Sequence, residues 1–250
     1  MKRRKFIQYA GAGAIATLGL SRGQKATAQT SSVTVEWLGH TCFLFTGGQR
    51  ILVNPFRPVG CAAGYRAPLV AADVVMTSSK LFDEGWTVGL PGEPRKLTEP
   101  GIYELTSGRV EGITADHDRR GGRQFGSNTL WKWRQGGLTI LHMGGAAAPI
   151  TDEQRILIGR IDMMLVPVGG GPKAYGPQEA KAAIDRIAPK IVVPTHYRTA
   201  AAGEVCDIRP LDDFLSIMDA PVRQVGSQAS FSQASLPEEG YRIDTFSYGF

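Results

Sequence analysis

The sequence predicts an α/β fold in which two packed sheets carry helices on their outer faces. Its first half is rich in short β-prone runs separated by Gly-containing turns, its second half alternates strand and helix, and the later strands are apolar throughout. No internal repeat or low-complexity linker interrupts the chain from about Val33 onward, so one domain is expected over residues 29–250. On pattern alone, a plain doubly wound α/β domain is the alternative.

Val33–Trp37, Cys42–Phe45 and Ile51–Val53 read as an opening meander, with turns at Gly39-His40 and Gly47-Gly48. Val74–Thr77 follows as a strand, then a polar loop to about Gly92. Ile102–Leu105, Val110–Thr114, Thr129–Arg134 and Leu138–His142 continue the β content. Asp152–Ile158 is a short helix, and Met163–Val168 is an apolar strand that runs into Gly169-Gly170-Gly171. Ala180, Ala183, Ile184 and Ile187 share one face of a helix over Pro177–Ile187, which Pro189 ends. Ile191–Pro194 is the next strand. Leu211–Met218 is the last expected helix, with Asp212 and Asp213 in its first turn, where the dipole favours negative charge.

The chain has 250 residues and a formal charge of +5. That excess is confined to the start. Lys2, Arg3, Arg4, Lys5, Arg22 and Lys25 precede every acidic residue, and without residues 1–28 the chain carries 22 bases against 23 acids. A near-neutral body excludes a composition-level case for nucleic-acid binding. The basic residues 2–5, the apolar run Phe6–Leu20 and the small residues Ala26-Thr27-Ala28 have the order of a cleavable export signal over residues 1–28. Arg3-Arg4-Lys5-Phe6-Ile7 and the mild apolar run favour a twin-arginine signal over an ordinary secretory one. The expected destination is the periplasm, or the thylakoid lumen in a photosynthetic source. The run is too short to be a stable membrane anchor, and none is expected after cleavage. Cys42, Cys61 and Cys206 show no disulfide or Cys-x-x-Cys spacing. One pair can oxidise after export, but buried apolar thiols are the favoured reading.

The four histidines, His40, His117, His142 and His196, all fall at or just after expected strand ends, where layered α/β folds place ligand groups. No two have the local spacing of a metal motif, so any metal site must come from distant segments.

Several blocks are similar to the metallo-β-lactamase-fold hydrolases, in particular the branch around the ascorbate-phosphate lactonases and metal-dependent hydrolases. They are Val35–His40, Ile51–Phe56, Ile140–Gly145, Leu165–Gly171, Ala180–Ile187 and Ile191–Tyr197. They follow the family's order over the whole chain after the leader. The resemblance implies a four-layer αββα sandwich of two mixed sheets flanked by helices, and hydrolysis at a centre of two Zn²⁺ or related ions. The family's first ligands lie in a Thr-His-x-His-x-Asp-His run. Here that run reads Thr77-Ser78-Ser79-Lys80-Leu81-Phe82-Asp83, with Ser78 and Lys80 at the first two histidine positions. His117 and His196 match retained ligands, Gly145 stands where the family has its bridging Asp, and Asn54 where it commonly has Asp. The resemblance therefore implies a family member without the dinuclear centre.

Two functional readings follow. The first is an exported, non-catalytic binder of a small anionic or ester-type ligand, or of another exported protein. The second is a hydrolase of an ester, lactone or phosphoester with a rebuilt site for one Zn²⁺ or Mn²⁺ ion on His117 and His196 with Asp83 or Glu84. The expected cofactor is thus one such ion or none. Lys80 opposes a cation unless turned away. His40, Asn54, Ser78, Lys80, Asp116, His142 and Gly145 are expected to line the cleft or support its ligands. Asp116 and Asp118 flank His117 as ligands or supports, or else form a solvated acidic turn beside Arg119, Arg120 and Arg123. The same arginines face an anionic ligand or simply solvent. Gly169–Gly171 lacks the rest of a phosphate loop and reads as a tight turn, with Lys173 or Tyr175 at a pocket edge.

Overall fold

A computed structural model describes residues 31–249, and the expected leader lies outside them. In chain order the elements are β1 (Val33–Gly39), β2 (Cys42–Gly47), β3 (Gln49–Val53), β4 (Val74–Met76), β5 (Arg95–Leu97), β6 (Gly101–Leu105), β7 (Gly108–Asp116), β8 (Ser127–Gln135) and β9 (Leu138–His142). They continue with α1 (Asp152–Ile158), β10 (Met163–Pro167), α2 (Pro177–Ile187), β11 (Ile191–Thr195), α3 (Leu211–Leu215), β12 (Val222–Gln224), β13 (Gln228–Phe231) and β14 (Arg242–Thr245).

The strands form two mixed sheets, ordered β13-β1-β2-β3-β4-β5 and β12-β14-β11-β10-β9-β8-β7-β6. They pack face to face, for example through Phe45 of β2, whose ring meets Trp133 of β8 edge-on at 4.9 Å. Every second residue of β1 is buried, as a strand with one core face requires. By contrast β10 and β11 are buried at every position, pair in parallel, and are covered by α2 through Ala180, Ala183, Ile184 and Ile187. Each large apolar side chain withdrawn from water contributes about 1.5–3 kcal/mol. Exposed ion pairs contribute about 0–1 kcal/mol, so the shared core decides the fold.

The helices begin where expected. Thr151 Oγ1 accepts from the Gln154 N–H (3.2 Å) and Gln154 accepts from the Thr151 N–H (2.9 Å), which caps α1. At α2, Pro177 opens the first turn and Glu179 accepts from the Gly176 N–H (2.8 Å). The last helix is shorter than expected because Ile217 and Met218 bond back three residues, to Phe214 and Leu215, and tighten the chain into turns. The sequence reading also missed β5, β12, β13 and β14.

Cys61 and Cys206 are joined by a disulfide, which corrects the buried-thiol reading for that pair, while Cys42 is free and buried. The bond ties the turn Gly60–Ala62 to the loop after β11. Two backbone hydrogen bonds flank it, Gly203 N–H to Gly60 O (3.0 Å) and Gly64 N–H to Ala201 O (2.8 Å). Among the described residues, no helix is long and apolar enough to cross a membrane.

Candidate functional site

All four histidines lie where expected, at the C-terminal ends of β1, β7, β9 and β11, which open on the same end of the two sheets. His40 (φ 50°), Asn54 (φ 52°) and His196 (φ 51°) occupy left-handed backbone, which costs a residue with a side chain about 1–2 kcal/mol. Such strain concentrates at functional positions. Here it turns the chain sharply after β1, β3 and β11 so that these side chains point inward.

His40, Asp83 and His196 converge: one nitrogen or oxygen from each lies within 4.8 Å of the others. The two imidazoles are 4.4 Å apart between ring centres, and His40 Nε2 is 3.5 Å from Asp83 Oδ2. Lys173 Nζ donates to the same Asp83 oxygen. Burial alone would raise the Asp83 pKa. The neighbouring His40 ring and the Lys173 charge outweigh that effect and hold the carboxyl well below its ordinary range. Burial, with His40 and Lys173 nearby, pushes His196 down to about 3, so its ring is neutral at physiological pH. Both His40 nitrogens and His196 Nδ1 are buried without a hydrogen-bond partner.

A second pair lies beside this cluster. Glu84 and His117 are fully buried, and Glu84 Oε1 stands 3.5 Å from His117 Nε2. Burial raises the Glu84 pKa, but His117 outweighs this and brings it to about 2. Gly145 faces the pair so closely that a Cβ there would collide with both Glu84 Oε1 and His117 Nε2. The backbone around it is held by Asn128, whose Oδ1 accepts from the Gly145 N–H (3.1 Å) and whose Nδ2 donates to Met143 O (2.9 Å).

Residues 34–196 match the Beta-lactamase superfamily domain. The chain belongs to the beta-lactamase superfamily. Similar proteins include one named a metal-dependent hydrolase from Methanoculleus marisnigri, 30% identical over 187 residues that cover 66% of this chain and 81% of the relative. Another of that name, from Methanoregula boonei, is 29% identical over 189 residues, covering 65% and 81%. Among solved structures, a Thermotoga maritima protein assigned to the Zn-dependent hydrolases of the metallo-beta-lactamase superfamily matches with a TM-score of 0.68 at 29% identity. That match covers 86% of this chain and 98% of the other.

This superfamily member departs from the expected ligand set in how its residues group. Asp83 and His196 meet as expected, but their third partner is His40, which the sequence reading placed outside the ligand set. His117 and Glu84 instead pair with each other, and the Glu84 carboxylate fills the space that a side chain at Gly145 would occupy. Lys80 is not in the cleft. It points outward to Glu99 (2.9 Å), so the feared repulsion does not arise from that residue. Asp116 is exposed and outside the cluster.

Asp118 is buried, not solvated. Its carboxylate accepts from the N–H groups of Arg120 (2.7 Å), Gly122 (3.1 Å), Gln124 (2.9 Å) and Phe125 (2.8 Å), shaping the loop after His117. Arg119 does not face a ligand. It forks onto Glu179 and donates to Gly171 O (3.0 Å) and Ala174 O (3.0 Å), strapping this loop to the glycine loop. Tyr175 is buried, its hydroxyl on Ala148 O (2.6 Å), while Lys173 lines the cleft.

Asn54 and His142 support the site. Asn54 Oδ1 accepts from the Ser78 N–H (2.8 Å), which fixes the chain after β4. Ser78 is buried with its hydroxyl unpartnered. His142 donates from Nε2 to Thr41 O (3.0 Å) and accepts at Nδ1 from the Gly144 N–H (3.1 Å). These bonds fix it as a neutral tautomer, and burial lowers its pKa to about 4.

The donor set suits one Zn²⁺-class ion: two imidazoles and a carboxylate, with histidine nitrogens left unpartnered in the interior. An unmade buried hydrogen bond costs about 1–3 kcal/mol, and a bound cation removes that cost. The site opens into a cleft of about 230 Å³. Val59, Phe82, Val205 and Ile208 form its apolar side; Asp83, Lys173 and His196 form its polar side. A larger hollow of about 950 Å³ lies at the opposite ends of the strands, among the turns at Gly47–Gln49 and Gln135–Gly136, and contains no histidine.

Proposed function

We propose that this protein is a metal-dependent hydrolase with a rebuilt mononuclear site, in which His40, Asp83 and His196 hold one divalent ion. The observation that carries the reading is the convergence of two buried imidazoles and a carboxylate, with His40 and His196 nitrogens unpartnered. A Zn²⁺-class ion bound there supplies Lewis acidity for hydrolysis of an ester, lactone or phosphoester. The chain's own groups do the rest. His142 stays neutral and holds the backbone at Thr41, next to His40. Glu84 Oε1 and His117 Nε2, 3.5 Å apart, put a buried carboxylate and imidazole next to the Gly145 backbone. The apolar wall of Val59 and Phe82 receives the substrate's apolar part, and the cleft volume limits the substrate to a small molecule.

Export to the periplasm belongs to the same proposal. Its support is the Arg3-Arg4 leader together with the Cys61–Cys206 bond, since disulfides persist in oxidising compartments. A second reading, a non-catalytic binder of a small anionic ligand, is favoured by the Lys173 ammonium on Asp83, which neutralises the carboxylate without any metal.

Metal content separates the two. The protein is purified after native export and its transition metals are measured per chain, alongside His40→Ala, His196→Ala and His117→Ala. One metal per chain that is lost in the first two variants supports the hydrolase. A wild-type protein that contains none and takes up none from added Zn²⁺ or Mn²⁺ overturns it and leaves the binder.

A further inference from the structure

We infer that Lys173 is an internal cation that competes with the metal for Asp83, so that metal occupancy is set by whether this side chain lies in or out of the cleft. The inference rests on the proposed metal site and concerns its control.

The Lys173 ammonium donates to Asp83 Oδ2, the same oxygen that faces His40 Nε2 at 3.5 Å. It therefore lies on the side of the carboxylate from which an ion shared with His40 and His196 must approach. Both side chains are about one-fifth exposed, so solvent screens the pair only partly. Lys173 and Asp83 sum to zero charge. A divalent ion entering with Lys173 in place meets an uncompensated like charge a few ångströms away.

The backbone aims Lys173 inward. On one side of it, the Gly169 N–H donates to His196 O (3.0 Å) and Gly169 O accepts from the Arg209 N–H (2.7 Å). Around it, Arg119 grips the carbonyls of Gly171 and Ala174. The loop is held at several points, and the flexible lysine stem can swing toward the open cleft without disturbing them. Among the basic residues that the sequence brings near the expected ligands, Lys80 points out to Glu99 and Arg119 is spent on the strap. Lys173 alone of these three occupies the cleft.

The test is calorimetric titration of the full mature chain with ZnCl2, after chelation and dialysis, in the wild type, Lys173→Met and Lys173→Arg. Each is repeated with His196→Ala to assign the binding to this site, and circular dichroism verifies the fold. Removing the charge in Lys173→Met should tighten the dissociation constant by at least about tenfold. Lys173→Arg, which keeps the charge, should not tighten it. Equal affinities in wild type and Lys173→Met, or equal tightening by Met and Arg, overturn the competition and leave the metal site standing. No Zn²⁺ binding in either the wild type or Lys173→Met overturns both.

Discussion

Breaking the Cys61–Cys206 bond is the perturbation whose size follows most directly from the structure. The bond joins residues 145 apart in sequence, so its loss frees a loop that spans most of the folded chain. The chain-entropy relation gives about 5 kcal/mol for a loop of that length, with measured losses commonly of about 2–4 kcal/mol. For a chain of this size, the larger figure corresponds to a fall in Tm of roughly 10–20 °C. The assay is urea unfolding of the oxidised protein and of the Cys61→Ala/Cys206→Ala variant, followed by both tryptophan fluorescence and circular dichroism. Because the cross-link constrains mainly the unfolded state, its removal should raise the m value as well as lower the midpoint. A stability loss below about 1 kcal/mol, with the link shown intact in the wild type by mass spectrometry, would refute the loop-closure reasoning.

Three other outcomes are expected. His142 takes a proton near pH 6.5 when unfolded but only near pH 4 when folded, so the unfolded state binds more protons between these values. The contribution of His142 should therefore be level above pH 6.5 and fall by about 3 kcal/mol on acidification to pH 4, with buried His196 adding a loss of the same sign; urea midpoints of the chelated protein against pH check this, with the slope reduced in His142→Gln. Gly145→Asp should destabilise by about 1–3 kcal/mol or more through its clash with Glu84 and His117. Adding Glu84→Ala should recover much of that loss, read as favourable coupling in a double-mutant cycle. Asp244 is fully buried and accepts from both Arg223 (2.9 and 2.6 Å) and Arg242 (2.9 and 3.2 Å). Asp244→Ala should cost about 3 kcal/mol in thermal or urea unfolding, and a loss no greater than that of a surface ion pair would count against a structural role.

The fold was legible wherever burial imposed a pattern. The continuous apolar runs of β10 and β11 and the one-sided face of α2 follow from being covered on both sides and on one side respectively. The strands that escaped are polar or exposed: β12 is exposed at every position, and β13 buries only Phe231. The buried part of β14 includes Asp244, which is charged and so invisible to a hydrophobic reading. At the site, strand ends correctly located the histidines, but sequence spacing could not say which of them would meet. His40 joins Asp83 and His196 because two successive left-handed residues, Gly39 and His40, turn the chain inward after β1. A glycine before a histidine at a strand end was the available clue. Lys173 reaches Asp83 across 90 positions, and no local pattern marks that meeting. Lys80 looked like the obstructing charge because it is close in sequence, whereas the turn after β4 sends it to solvent. Asn128, which braces the Gly145 backbone, left no signal in its surroundings.

The outer edge of β1 is covered by β13, from Val33 opposite Phe231 to Glu36 opposite Gln228. The first described strand is thus completed by one of the last to be synthesised. Until residues 228–231 have left the ribosome, a nascent chain displays β1 as an open row of backbone donors and acceptors. A truncation just before Gln228 would leave that row exposed permanently, as a template for pairing with other copies. Versions of the protein that lack β13 should therefore aggregate.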